Sequence, residues 1–303
     1  MRDWHGIVTP LVTPIHDDGT PDLESMARLV EFQLAEGVHG FWVLGTTGEF
    51  AAFTEDERAA VVETVVRTAR GRVPVLANAS DAGTRLAIRH ARRAHEVGAD
   101  AVAATPPYYY PHAQTELIDH YRAIAAAVSL PLFVYNIPQT VRVRVELPTV
   151  VTLAREGTVA GIKDSQNDMD WLRRLILATA GLDFSIFAGT WTLIDAAVLL
   201  GADGAIPSIA NTSPAATVAT YESAVAGRWN QTAGAEAGMI ETDDRVRSLA
   251  VGSQNGAVIS FLKTVLWKRG VIASPAVTAP LRAVSAAVVE DYSGREVAVV
   301  AEG

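Results

Sequence analysis

One phrase recurs along the chain and narrows its architecture more than any other feature. A helix-forming stretch ends at glycine, one or two small residues follow, and a short apolar run comes next. It occurs as EGVHGFWVLG (36–45), VGADAVAATPP (97–107), EGTVAGIKDS (156–165) and LGADGAIPS (200–208). Gly37, Gly98, Gly157 and Gly201 fit the left-handed residue that closes an α-helix. The runs behind them show no alternation of apolar and polar residues. Strands buried on both faces have that pattern, as in a parallel sheet covered by helices.

Amphipathic helices fill the intervals. Asp22 can cap a helix that carries Leu23, Met26, Val30 and Leu34 on one face. Thr54 and Glu57 form a capping box ahead of Val62, Val65 and Ala69, and Gly71 stops that helix. Pro148 suits a first turn, and Leu172, Leu175, Ile176 and Ala180 line a further helix ended by Gly181. With the less repetitive runs added, strands are expected near 6–9, 39–44, 73–77, 100–104, 131–135, 159–162, 184–188 and 203–207. Eight strands alternating with helices predict an α/β fold of the (β/α)8 TIM-barrel type. The rival, a doubly wound open sheet, would normally carry a glycine-rich nucleotide loop after its first strand, and here that loop is TPLVTP. Beyond about 213 no strand-like run appears. The chain therefore reads as a barrel over 1–225 and a helical extension over 226–303 packed on it.

Composition excludes several functions. The 303 residues include 25 Lys+Arg against 34 Asp+Glu, a net charge of −9, which argues against a nucleic-acid or anionic-membrane surface. The chain has no cysteine, so disulfides and thiolate chemistry are excluded. Residues 1–14 lack the apolar core of a signal peptide, and no apolar run reaches the ~20 residues of a membrane span. A cytoplasmic protein is expected, acting on a small molecule, with no nucleic-acid or membrane partner. His90 and His95 are five apart, which misses the helical i,i+4 pairing of a metal site.

Reactive groups of such a barrel gather at the C-terminal ends of its strands. The segments there include GTTGE (45–49), TPPYYY (105–110), YNIP (135–138), KDS (163–165), GTW (189–191) and PSIAN (207–211), and they contain one lysine. Lys163 follows Val-Ala-Gly-Ile, so its stem starts in the apolar mouth of the barrel. A desolvated amine loses its proton readily and attacks ketones, whereas a strand-end lysine can also reach out to water or pair with Asp164. Tyr135 ends the neighbouring strand; its hydroxyl can relay protons to Lys163 or be satisfied within the core. Gly45-Thr46-Thr47-Gly48-Glu49 is either a nest for a carboxylate or phosphate or a structural turn.

In combination and in order, GTTGE, PPYYY (106–110), YNIP and GIKDS (161–165) resemble the dihydrodipicolinate synthase / N-acetylneuraminate lyase family of pyruvate-dependent class I aldolases. The resemblance runs from Gly6 into the C-terminal helices. It implies that Lys163 forms a Schiff base with pyruvate and that Tyr135 shuttles protons. Thr46 and Thr47 would hold the pyruvate carboxylate and join the relay, with Gly48 in the same turn. Tyr109 would reach a neighbouring subunit's site, and Gly189 and Ile206 would line the pyruvyl pocket. A homotetramer built as a dimer of dimers is implied, with no metal or cofactor beyond the covalent imine.

The chain also departs from the family pattern. The synthase branch has an arginine two residues after its YNxP motif; here that position is Thr140, with Arg142 two further on. A threonine cannot make arginine's bidentate contact with a carboxylate. Ser165 and Ser208 suit a polyhydroxylated tail, and Trp191 and Phe50 add apolar walls. The leading expectation is a carbon–carbon lyase that interconverts a 2-keto-3-deoxy sugar acid with pyruvate and an aldehyde. The alternatives are condensation of pyruvate with aspartate semialdehyde, a dehydratase on the same imine, and a ligand-binding sensor.

Overall fold

In the computed structural model, which describes residues 4–290, eight strands close into a parallel barrel in chain order. They are β1 Gly6–Pro10, β2 Gly40–Val43, β3 Val75–Asn78, β4 Ala101–Ala104, β5 Leu132–Asn136, β6 Gly161–Asp164, β7 Ser185–Ala188 and β8 Gly204–Ala205. All eight fall on the expected runs, with ends displaced by no more than about two residues. One displacement matters for the site. Val159 and Ala160 precede β6, so Lys163 lies inside the strand, in register with Tyr135 of β5 and Phe187 of β7.

The outer ring consists of α1 Leu23–Ala35, α2 Glu55–Ala69, α3 Thr84–Glu96, α4 Gln114–Ala127, the short α5 Pro138–Val141, α6 Leu147–Arg155, α7 Met169–Ala178, α8 Ile194–Leu200 and α9 Pro214–Val225. Local chemistry explains where they start and stop. Asp22 accepts the Ser25 amide at 2.9 Å, and Thr54 with Glu57 makes the expected capping box. Gly37, Gly98, Gly157 and Gly201 adopt φ of 79°, 90°, 68° and 104°, the left-handed region that only glycine enters without strain. Two further helices, α10 Trp229–Arg247 and α11 Gln254–Lys268, extend the chain beyond α9; α10 packs on α8 and α9, and α11 on α10.

Alternation along the strands divides the interior into two apolar clusters. Val8, Trp42, Leu76, Phe133, Tyr135 and Phe187 fill the barrel, while Ile7, Phe41, Val43, Leu132, Val134 and Ile162 pack outward under the helices. A buried ion pair fastens α11 to the barrel. Lys263, fully buried, meets the Glu49 carboxylate and donates to the Ala276 carbonyl at 2.9 Å. The other Glu49 oxygen accepts from the Thr278 amide at 2.7 Å and from its hydroxyl at 2.8 Å. Glu49 is thus a structural member of the GTTGE turn.

Candidate active site

The floor of the site is set by strand register. Residues on adjacent strands in register project to the same side, so Tyr135 and Lys163 both enter the barrel mouth. The Lys163 Nζ lies 4.7 Å from the centroid of the Tyr135 ring and 5.2 Å from that of Trp42, and those two rings meet edge to face. With the lysine only 4% exposed, burial pulls its pKa from 10.5 down to about 7. Pairing with Asp164, the alternative reading of Lys163, does not occur. Asp164 projects to the opposite face of β6 and accepts from Asn136 at 2.8 Å and Gln166 at 2.7 Å. Burial pushes the Asp164 pKa up to about 6 against those hydrogen bonds.

The Tyr135 hydroxyl lies 3.1 Å from the Thr46 Oγ1. Burial raises the phenol to about 12, while hydrogen bonds from the Thr46 and Ser165 hydroxyls pull the other way. At neutral pH it is therefore a protonated donor. Lys163, Tyr135, Thr46, Thr47, Thr140, Ser165, Gly189, Trp191, Ile206 and Ser208 all line one cavity of about 550 Å³. That volume lies within the ~300–1,000 Å³ range of small-molecule sites.

Three expected members lie outside it. The Gly48 amide donates to the Gly45 carbonyl, and its own carbonyl accepts the Thr13 hydroxyl at 2.8 Å. A Cβ there would come within 3.0 Å of Leu11 and Leu44 backbone atoms, so Gly48 packs the turn against the β1 exit instead of touching the cavity. Phe50 is carried away by the left-handed Glu49 (φ 56°) and lines a second cavity of about 220 Å³ with Arg58, Asp81, His90 and Tyr108. Tyr109 is 78% exposed on this chain, edge to face with Tyr110. Arg142, which could have replaced an arginine at 140, is exposed in a left-handed cap (φ 59°) and does not line the cavity.

Gly189 has a steric reason to be glycine. Its amide bonds the Asp164 carbonyl at 2.7 Å, and a Cβ would fall 2.0 Å from the Ser165 Oγ. Gly189→Ala is expected to displace Ser165 at a cost of about 1–3 kcal/mol, the scale of overpacking. It should also lower kcat/KM by roughly tenfold or more, the loss that follows small misplacements in a site. Denaturant titration and steady-state kinetics on the variant check both effects.

The sequence reading missed Trp42, Gln166, Asn167, Thr190 and every contribution from α10 and α11. Trp42 carried a signal: it holds an inward position of β2, in register with Pro10 and Leu76. The helical extension carried none, because an amphipathic pattern does not tell which end of the barrel a helix covers. Among the described residues no group of three or more His, Cys, Asp or Glu side chains could hold a metal ion, and no helix is long and apolar enough to cross a membrane.

Comparison with known proteins agrees with this geometry. The chain is 39% identical to a 4-hydroxy-tetrahydrodipicolinate synthase of Phenylobacterium zucineum, over 75% of this chain and 76% of that protein. It is 36% identical to a probable 2-dehydro-3-deoxy-D-pentonate aldolase of Escherichia coli K12, over 73% and 74%. Among solved structures it superposes with a TM-score of 0.88 and 26% identity on YagE of E. coli K12, covering 96% of each chain; YagE is described as a dihydrodipicolinic acid synthase family protein in complex with pyruvate. The family model for the dihydrodipicolinate synthetase family matches residues 3–293. By sequence and by fold, the chain belongs to the dihydrodipicolinate synthetase family.

Proposed function

We propose that this family member is a class I aldolase that cleaves a 2-keto-3-deoxy sugar acid to pyruvate and an aldehyde, with Lys163 as the imine-forming residue. The observation that carries the reading is a buried amine, acidified to about 7, at the floor of a cavity whose wall is mostly neutral hydroxyls and amides. The two relatives differ by only three points of identity to this chain, so overall similarity does not choose between synthase and aldolase. Position 140 favours the aldolase. A threonine stands where the synthase branch grips the aldehyde's carboxylate, and Arg142 does not reach the cavity.

The mechanism follows from the groups present. The neutral Lys163 amine adds to the C2 ketone, and the carbinolamine loses water to give an iminium. Abstraction of the C4 hydroxyl proton then breaks the C3–C4 bond, its electron pair moves into the iminium as an enamine, and the aldehyde leaves. Protonation at C3 and hydrolysis release pyruvate and the free amine. We assign these proton transfers to Tyr135, with Thr46 at 3.1 Å. The phenol gives its proton to the hydroxyl that leaves the carbinolamine as water, and the phenolate so formed takes the C4 hydroxyl proton and returns it to C3. The Thr46 and Thr47 hydroxyls are assigned to the substrate carboxylate. The iminium is the electron sink, so this chemistry calls for no metal or organic cofactor. Gly189 and Ile206 bound the pyruvyl end, while Ser165, Ser208, Thr140 and Trp191 face the aldehyde half.

We further read the barrel (1–225) as the catalytic part, the extension (226–303, of which 291–303 lie outside the described residues) as a helical part packed on it, and the protein as a cytoplasmic homotetramer in which the exposed Tyr109 serves a neighbouring subunit. Pyruvate release from keto-deoxy acids, followed by coupled assay, tests the function. Cleavage without consumption of aspartate semialdehyde supports the aldolase, consumption of the semialdehyde with pyruvate would make it a synthase, and a dicarbonyl product without pyruvate would make it a dehydratase.

A pH dependence follows from Lys163. At pH 7 about half of an amine with pKa near 7 is neutral, against about one in three thousand for one at 10.5. The rate of imine formation is therefore expected to rise roughly tenfold per pH unit below about 7 and to level off above it. A rate still climbing at pH 9 would contradict a desolvated amine.

A further inference from the structure

The C-terminal extension supplies part of the wall of the site. Asp243 and Arg247, one turn apart on α10, and Ser253, Gln254 and Asn255 at the start of α11 face the same cavity as Lys163. Asn255 reaches the barrel rim, where its amide donates to the Thr140 hydroxyl at 3.5 Å. Burial orders these groups from floor to rim: Lys163 is 4% exposed, the Asp243 side chain 13% and Arg247 57%. A substrate whose C2 is bound to Lys163 shares its cavity with these α10 groups, which a long tail can meet.

The chemistry at that end is specific. Arg247 Nε donates to Asp243 Oδ2, so the two form an ion pair with no net charge. A carboxylate or phosphate arriving there would meet an arginine already neutralised and an aspartate that repels it. A hydroxyl group, both donor and acceptor, can use both partners, giving its proton to the carboxylate and accepting from the guanidinium. The flanking amides of Gln139 and Asn255 have the same dual character.

We propose that Asp243 and Arg247 are specificity-determining residues that bind the terminal hydroxyls of an open-chain polyhydroxy aldehyde half, uncharged at its far end. This rests on the aldolase reading above and deepens it by naming the tail. The pair recognises tail length and neutrality; it takes no part in bond breaking.

The test uses 2-keto-3-deoxy acids with neutral hydroxylated tails of increasing length, together with one long tail ended by a carboxylate. kcat/KM for pyruvate release is measured on the full-length protein and on Asp243→Asn and Arg247→Met. Wild type is expected to prefer the long neutral tail. Each variant should lose roughly tenfold on it, the scale of a charge-assisted hydrogen bond, and keep its rate on the shortest. Equal losses on all tails would mean a structural role and overturn the proposal, as would unchanged selectivity. Preference for the carboxylate-ended tail, lost in Arg247→Met, would also overturn it in favour of anion binding. Borohydride trapping of pyruvate on each protein separates this from the reading beneath it. Trapping in all three proteins without tail discrimination sinks the subsite alone, and no trapping in wild type sinks the aldolase.

Discussion

Replacing Lys163 with methionine is expected to lower kcat for carbon–carbon cleavage by at least about 10⁴-fold, the loss typical of removing a covalent nucleophile. The protein should not unfold more easily as a result. Lys163 titrates near 7 in the fold and near 10.5 in the open chain, so between those values the unfolded state holds more protons and stability rises with pH. Below about pH 7 the native protein therefore bears the full penalty of burying this amine; the penalty fades toward pH 10.5. A methionine, of similar length and without charge, removes it. The variant should be inactive and at least as stable as wild type, with the gain greatest at low pH. Thermal unfolding at pH 6 and pH 9, with a pyruvate-release assay, reads both effects. Lost activity accompanied by a collapsed melting temperature would instead mark Lys163 as a structural group.

Glu49→Gln is expected to have the largest effect on stability, a loss of about 3–5 kcal/mol, because it leaves the Lys263 ammonium buried without its counter-charge. Against the ~5–15 kcal/mol that typically holds a protein folded, this is a major fraction. Both side chains are essentially inaccessible, and Glu49 also holds the Thr278 amide and hydroxyl. The change therefore loosens α11 from the barrel mouth as well as exposing a charge deficit. The double variant Glu49→Leu/Lys263→Met removes both charges and should recover much of the loss, since an apolar pair of similar volume can replace a buried ion pair. Urea titrations of the three proteins give the comparison. A single variant within about 0.5 kcal/mol of wild type, the range of ordinary surface changes, would show that the pair does not anchor the helix.

The legible and illegible parts of this chain have physical causes. The strands were legible because Gly37, Gly98, Gly157 and Gly201 close helices in a conformation other residues avoid, and because two-sided burial leaves an unbroken apolar run. The positions of Lys163 and Tyr135 were legible because each lies one residue inside the C-terminal end of its strand, where position along the chain translates directly into position in the barrel. Phe50 was misplaced because one left-handed residue, Glu49, turns the chain away from the cavity, and a glutamate gives no warning of positive φ. Gly48 read as part of an anion nest, yet its amide closes the turn onto Gly45. The α10 and α11 contributions were illegible for a different reason. Asp243, Arg247 and Asn255 come to the cavity through tertiary packing across the barrel mouth, and nothing in a helical pattern encodes that placement.

The central claim is that Lys163 forms an imine with pyruvate, and one measurement meets it directly. The protein is incubated with pyruvate, reduced with borohydride, digested and mapped by mass spectrometry. The account predicts a single stable adduct on the peptide containing Lys163, absent from Lys163→Met and formed faster as pH rises toward 7. A folded protein that gives no adduct, or gives one on Lys263 or Lys268 instead, would contradict it.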